Sequence, residues 1–144
     1  MADAATNKYK YLLATGAIVP GTTDLRMGLL KTFAATTNVP DINFIADMEA
    51  HADFAELTAS GYARVALTGE SASEVDASDW ALIDCDDVAF AAIASGETIV
   101  GYFIFIQTGA DATASVLQMG SLTSTATNGG AFTATTGSGI TKVA

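Results

Sequence analysis

The stretch Ile99–Ile106 constrains the fold of this chain more than any other part of the sequence. Its eight residues, IVGYFIFI, are all apolar and rich in β-branched and aromatic types, which pack well on the pleated surface of a sheet. Eight residues are too few to cross a bilayer as a helix, which needs about 20. We therefore expect a central strand, covered on both faces by the core, or on one face by the core and on the other by a partner subunit.

The rest of the chain predicts short strands separated by turns, which is typical of a mainly-β domain, a β-sandwich or jelly roll. Further strands are predicted over Leu25–Thr32, Tyr62–Leu67, Trp80–Asp84, Val88–Ile93, Ser115–Leu122, Phe132–Thr136 and Ile140–Val143, with a polar loop or edge segment over Glu70–Asp79. One or two short helices are expected in the N-terminal third, over Ala4–Ala14 with Thr6 or Asn7 as cap, and from Asp41, as N-cap, to about Ala50.

A length of 144 residues fits a single domain. Within residues 1–144 we expect an N-terminal arm and short helix over 1–20, followed by the sandwich over 21–144. Half of the residues are hydrophobic, which is too many for an intrinsically disordered chain.

The charge balance disfavours several classes of partner. The 16 acidic residues outnumber the 6 lysines and arginines, and the net charge is −10. So few cations cannot neutralise many phosphates, and we expect neither a nucleic acid nor an anionic membrane surface as a partner. A single cysteine excludes an internal disulfide framework and a multi-cysteine zinc site.

Three places carry residues that could do chemistry, and each has a plainer interpretation. His51, the only histidine, could be a base or a metal ligand, but the end of a helix also favours a surface histidine. Cys85 lies between two aspartates, which disfavour a thiolate, so a small buried filler is the better interpretation. Asp84, Asp86 and Asp87 could offer oxygen ligands to Ca²⁺, but the regular calcium loop and its distal glutamate are missing.

Familiar catalytic motifs are missing from the sequence. It has no nucleophile elbow, phosphate-binding loop, dinucleotide fingerprint or H-E-x-x-H motif. We therefore expect a protein that is not an enzyme, with no catalytic residue, no cofactor and no metal site.

Four stretches follow one another in an order that resembles one known group of proteins. They are Asn7–Leu13 (NKYKYLL), Thr23–Leu30 (TDLRMGLL), Tyr62–Gly69 (YARVALTG) and Asp84–Gly109, which contains the apolar strand. Each alone is common strand-and-turn sequence, and their order gives the resemblance its specificity. From about Asn7 onward, the chain resembles the cement or decoration proteins that sit on the outside of tailed-bacteriophage heads.

This resemblance implies a structural virion protein that carries no catalytic residues. Such a protein is synthesised in the host cytoplasm, forms a homo-oligomer, expected to be a trimer, and binds the major capsid protein where subunits meet on the outer head surface. Candidates for subunit contacts are the large apolar side chains of the N-terminal segment and of the apolar strand: Tyr9, Leu12, Leu13, Tyr102, Phe103 and Phe105. Two alternatives stay open, a phage tail or fibre component and a carbohydrate- or calcium-binding β-sandwich module.

Overall fold

The computed structural model describes residues 3–34, 36–75, 80–135 and 141–143. Along these residues the elements are β1 (Asp3–Ala5), α1 (Asn7–Ala14), β2 (Leu25–Phe33), a 3-10 turn (Val39–Asp41), α2 (Ile45–Ala50), β3 (Phe54–Glu56), β4 (Val65–Ala66), β5 (Ser71–Val75), β6 (Trp80–Asp84), β7 (Val88–Phe90), β8 (Thr98–Ile106), β9 (Val116–Ala126), β10 (Phe132–Ala134) and β11 (Thr141–Val143). The predicted mainly-β class, with two short helices in the N-terminal part, is confirmed.

The main sheet is antiparallel and has β8 at its centre. Its strand order is β1-β9-β8-β2-β3, and β4 also pairs with β2. Along β8 the side chains alternate between two cores: Tyr102 and Ile104 join one hydrophobic cluster, and Phe103 and Phe105 join the other. The expectation of a central strand covered on both faces is confirmed, and both covers come from this chain.

The two faces of the sheet are covered by different elements. On one face, Met27 and Leu29 of β2 belong to the same buried cluster as Phe90 of the two-stranded β7-β10 sheet. This packing of sheet against sheet is sandwich-like. On the other face, Ile45 and Met48 of α2 belong to the cluster of Phe103 and Phe105. A three-stranded sheet of order β11-β6-β5 completes the described strands.

The N-terminal segment is fastened to the edge of the main sheet. Strand β1 pairs antiparallel with β9, Asp3 opposite Gly120 and Ala5 opposite Gln118. The buried Thr6 caps α1, since its hydroxyl oxygen accepts a hydrogen bond from the Tyr9 N–H at 3.0 Å and donates to the Val116 carbonyl at 2.7 Å. Of the two predicted caps the structure uses Thr6.

Several predicted boundaries are wrong. Residues 4 and 5 belong to β1 and not to the first helix, β7 ends at Phe90 and not at Ile93, and β9 runs on to Ala126, beyond Leu122. Helix α2 begins at Ile45 and not after Asp41, because Val39–Asp41 forms a 3-10 turn and the Asp47 carboxylate accepts the Phe44 N–H at 3.0 Å instead. The strand predicted over Tyr62–Leu67 is reduced to β4, since the Tyr62 N–H donates to the Ala59 carbonyl in a turn.

Three further predicted segments, Glu70–Asp79, Phe132–Thr136 and Ile140–Val143, fall partly outside the described residues. Ser71–Val75 forms an edge strand, as the polar segment Glu70–Asp79 allowed, whereas residues 76–79 lie outside the described part of the chain. Strands β10 and β11 lie within Phe132–Thr136 and Ile140–Val143, but residues 136 and 140 are outside it.

A substitution at Gly28 can test how closely strands β2 and β8 pack. A Cβ on Gly28 would overlap the ring of Phe103, its cross-strand neighbour, and lie 2.9 Å from the Tyr62 hydroxyl. We expect Gly28→Ala to lower the free energy of unfolding by about 1–3 kcal/mol through overpacking, measured by urea denaturation. Gly109→Ala is the control, because a Cβ there meets nothing within 4 Å, and we expect a change within about 0.5 kcal/mol. Equal losses in both variants would contradict tight packing at Gly28.

Candidate interaction surface

Four of the six side chains expected at subunit contacts lie inside this chain. Tyr9, Tyr102, Phe103 and Phe105 are only 1%, 5%, 0% and 0% exposed. The Tyr102 hydroxyl accepts a hydrogen bond from the buried Gln118 Nε2 at 2.8 Å. These four residues are therefore core residues in the folded chain and are not part of its surface.

Leu12 and Leu13, the other two candidates, are half-buried against the same cluster as Tyr9. Helix α1 thus turns its apolar stripe inward. The side of α1 that remains accessible carries different residues from those that the sequence suggested.

The accessible side of α1 is basic and aromatic. Tyr11 is 61% exposed, and among the described residues only one other large apolar side chain, Val19, is comparably exposed. The Lys8 ammonium lies 5.7 Å from the centre of the Tyr11 ring and 5.2 Å from that of Phe44, within cation–π range. We call Lys8, Lys10 and Tyr11 the α1 patch.

The lysines of the α1 patch differ from the other cations whose side chains the structure describes. Arg26, Lys31 and Arg64 each form an ion pair with a carboxylate. Lys8 and Lys10 form none with any side chain in the described ranges. The α1 patch is consequently a small positive region on a chain whose net charge is −10.

A cluster of three carboxylates surrounds Arg64 on the face of the sheet that α2 covers. The guanidinium lies 5.7 Å and 5.3 Å from the ring centres of Phe103 and Phe105. It donates to Glu56 and Asp111, with Nε to Glu56 Oε1 at 2.8 Å, and lies 3.6 Å from Glu49. We call Arg64, Glu56, Asp111 and Glu49 the Arg64 cluster.

The Arg64 cluster carries more negative than positive charge. Glu49 and Asp111 are 47% and 40% exposed, whereas Glu56 is only 13% exposed. Burial, followed by the nearby carboxylates of Asp111 and Glu56, raises the pKa of Glu49 above its usual value. Three carboxylates against one guanidinium leave an excess of two negative charges, carried outward by Glu49 and Asp111.

Glu56 also connects the cluster to the main sheet. The Tyr62 hydroxyl donates to Glu56 Oε1 at 2.7 Å and accepts the Leu29 N–H at 2.9 Å. Burial is the largest cause that raises the pKa of Tyr62, so the hydroxyl remains a donor. The cluster thereby joins β2, β3 and the loop that contains Arg64.

A second network centres on Glu97, just before β8. Its carboxylate accepts the backbone N–H groups of Thr58 and Ala59, both at 2.7 Å, and the Lys31 ammonium at 2.7 Å. The bond to Lys31 is the largest cause that lowers the pKa of Glu97, to about 2. These contacts tie the loop after β3 to β2 and to the start of β8.

The hydrogen bonds of His51, Cys85 and Asp84 are to residues close in the chain. His51 is the C-cap of α2, as its helix-end interpretation predicts, and its Nδ1 accepts the Asp53 N–H at 3.3 Å. It borders a shallow depression of about 340 Å³ together with Asp41 and Asp47. Cys85 is buried, 8% exposed, which agrees with a filler role.

Acidic side chains near Cys85 serve the local backbone and turn. Asp84 accepts the Cys85 N–H at 2.9 Å, and Asp86 accepts the Thr68 hydroxyl at 3.2 Å. Within the described ranges, no group of three or more histidine, cysteine or acidic side chains is placed to hold a metal ion. A second shallow depression, about 370 Å³, is lined by residues 21–25 and 67–70 and has no aromatic side chain in its lining.

Comparison with known proteins adds no assignment. The chain matches no family model, no curated protein and no solved structure. Of the helices in the described part, none is long and apolar enough to cross a membrane.

Sequence reasoning missed both networks. Arg64 lies eight residues from Glu56 and 47 from Asp111, and Glu97 lies 39 from Thr58. No local spacing rule links such residues. The only available hint was that Arg64 interrupts an otherwise apolar, alternating stretch.

Glu97 gives a pH-dependent contribution to stability. Because its folded-state pKa is lowered from 4.5 to about 2, the stabilisation is complete above pH 4.5 and disappears as the pH falls towards 2. We expect Glu97→Gln to cost about 1–2 kcal/mol at pH 7 and almost nothing near pH 2, measured by urea unfolding across this range. The control is Asp41→Asn, because the Asp41 carboxylate is exposed and forms no hydrogen bond with the described residues. A Glu97→Gln deficit that does not change with pH would contradict this assignment.

A substitution at Arg64 can test whether the planar guanidinium group is needed for the stability of the Arg64 cluster. Lysine keeps the charge but cannot bind two carboxylates through a planar fork, so we expect Arg64→Lys to cost about 1–3 kcal/mol in unfolding free energy. Arg26→Lys is the matched control, because Arg26 pairs with an Asp24 that is 51% exposed, and we expect a change within about 0.5 kcal/mol. Calorimetric melting of both variants measures the difference. Similar losses in the two variants would show that the Arg64 cluster is no stronger than a surface pair.

Proposed function

We propose that this chain is a non-enzymatic structural protein of a tailed-phage virion, a cement or decoration protein of the head. In this role it is made in the host cytoplasm, binds the outer surface of the major capsid protein as a homo-oligomer, expected to be a trimer, and reinforces the junctions between capsid subunits. The observation that carries the proposal is the ordered series of four stretches that resemble that family.

The position of these stretches in the fold supports the proposal. Asn7–Leu13 forms most of α1, Thr23–Leu30 contains most of β2, and Tyr62–Gly69 contains β4, while Asp84–Gly109 includes β8. Strand β2 pairs with both β4 and β8. The likeness therefore follows the framework of the main sheet and is not confined to exposed turns.

The use of charged side chains also suits a reinforcing protein. Arg64 and Glu97 join segments that are far apart in the chain, and such cross-connections stiffen a small domain. Many copies, each with modest contacts, would add their binding energies across the shell. A net charge of −10 disfavours contact with the genome and keeps particles apart.

Cryo-electron microscopy of virions that carry the chain tests the location. We expect density for it over threefold or quasi-threefold positions of the head. Density confined to the tail would contradict the capsid location and favour the tail or fibre alternative. As a second readout, heads stripped of the chain should release DNA at a lower temperature, and adding the purified protein back should restore the original temperature.

The oligomer is tested separately by light scattering on the purified protein. A mass of three times the 14.7 kDa of one chain is expected at micromolar concentration, and a mass of one chain would contradict the trimer. A rise in melting temperature with Ca²⁺ or sugars, which stabilise the state they bind, would instead favour the binding-module alternative.

A further inference from the structure

We propose that copies of this chain associate through a contact between the α1 patch of one copy and the Arg64 cluster of the next. The inference rests on the homo-oligomer of the proposed function and names its surfaces. It does not require that the oligomer bind a capsid.

The α1 patch has the features expected of the positively charged side of such a contact. Its two lysines lack ion pairs among the described side chains, and Tyr11, 61% exposed, is an aromatic anchor of the kind that dominates protein interfaces. Thr6 fixes the start of α1 through the Val116 carbonyl, and its backbone N–H donates to Leu117 at 2.9 Å. The patch is thus held in place before any partner arrives, which lowers the entropic cost of binding.

The Arg64 cluster has the complementary features. Its excess of two negative charges matches the two lysines of the α1 patch in number and opposes them in sign. Glu49 and Asp111 carry this excess on half-exposed side chains. Phe103 and Phe105 lie beneath the guanidinium, so the cluster stands on a rigid apolar base.

Charge also decides that the patch meets a different surface and not itself. A contact between two α1 patches would bring four ammonium groups together, and like charges that face each other across an interface oppose binding. Within one copy the two surfaces flank α2: Lys8 lies over Phe44, its N-cap, and Glu49 belongs to its last turn. A second copy of this acidic chain therefore presents carboxylates to two lysines that form no ion pair with the described side chains of their own copy.

The test is a double-mutant cycle on the full chain, read as the dissociation constant of self-association by sedimentation velocity over a concentration series. Lys8→Gln with Lys10→Gln removes the donor charges, and Glu49→Gln removes an acceptor charge. We expect each set to raise the dissociation constant about three- to tenfold. Because the sets act on one contact, the combined variant should be weakened by clearly less than the product of the two effects.

Ser95→Glu with Ser124→Glu is the matched control. It changes the net charge as much as the lysine variant does, at exposed positions, and Ser124 lies towards the other end of β9 from Val116. We expect no more than a twofold change. Effects that multiply independently, or an equal loss in the control, would overturn the contact and leave only a general charge effect. Circular dichroism spectra and melting temperatures like those of the parent show that each variant is folded.

The outcomes separate this inference from the proposed function. A chain that stays monomeric at all concentrations but decorates phage heads overturns the contact and leaves the cement role intact. Coupled patches in a chain that binds no head overturn the cement role and leave the contact intact.

Discussion

The two-sided burial of β8 is the constraint on which the rest of the structure depends. Phe103 and Phe105 point into one core while Tyr102 and Ile104 point into the other. Burying each aromatic ring removes about 150–250 Å² from water, so neither face of the strand can be left uncovered without a large loss of free energy. A chain of this length must therefore place structure on both sides of one sheet. It does so with small β-sheets and α1 on one face and with α2 on the other.

The Arg64 cluster lies on the same face as α2. Helix α2 has only six residues and cannot span the whole face of the sheet. The Arg64 guanidinium lies over Phe103 and Phe105, where its flat, weakly hydrated surface packs on aromatic rings. A cation in this position needs carboxylates near it, and Glu56 and Asp111 provide them from two other segments. The apolar requirement of β8 thus leads directly to the polar cluster beside it.

Features with a local cause could be predicted from the sequence, and features with a distant cause could not. The strands β2 and β8 were placed within one residue at each end, because alternation and β-branched content act along one segment. The start of α2 was missed because Asp41 belongs to the 3-10 turn Val39–Asp41, and the helix begins instead after Phe44, whose N–H is bound by the carboxylate of Asp47 inside the helix.

The contact residues illustrate the same division. The continuous apolar sequence around Tyr102 and Phe103 predicts that both faces of the strand are buried. It does not predict whether this chain or a neighbouring subunit buries them. Here the cover is internal, at 5% and 0% exposure. The Arg64 cluster depends on a pair 47 residues apart, and no spacing pattern reaches that far.

Because most described cations pair with carboxylates of the same chain, few positive charges are left on the surface to bind an acidic partner. Arg26, Lys31 and Arg64 each form an ion pair with a carboxylate of the same chain. At physiological salt, the field of a surface charge fades over about 8 Å, so local patches, more than the net charge of −10, decide which surfaces meet at contact distance. Lys8 and Lys10 then stand out because they form no ion pair with the side chains of the described residues. Their position on a helix fixed by Thr6 turns this small imbalance into a directed surface.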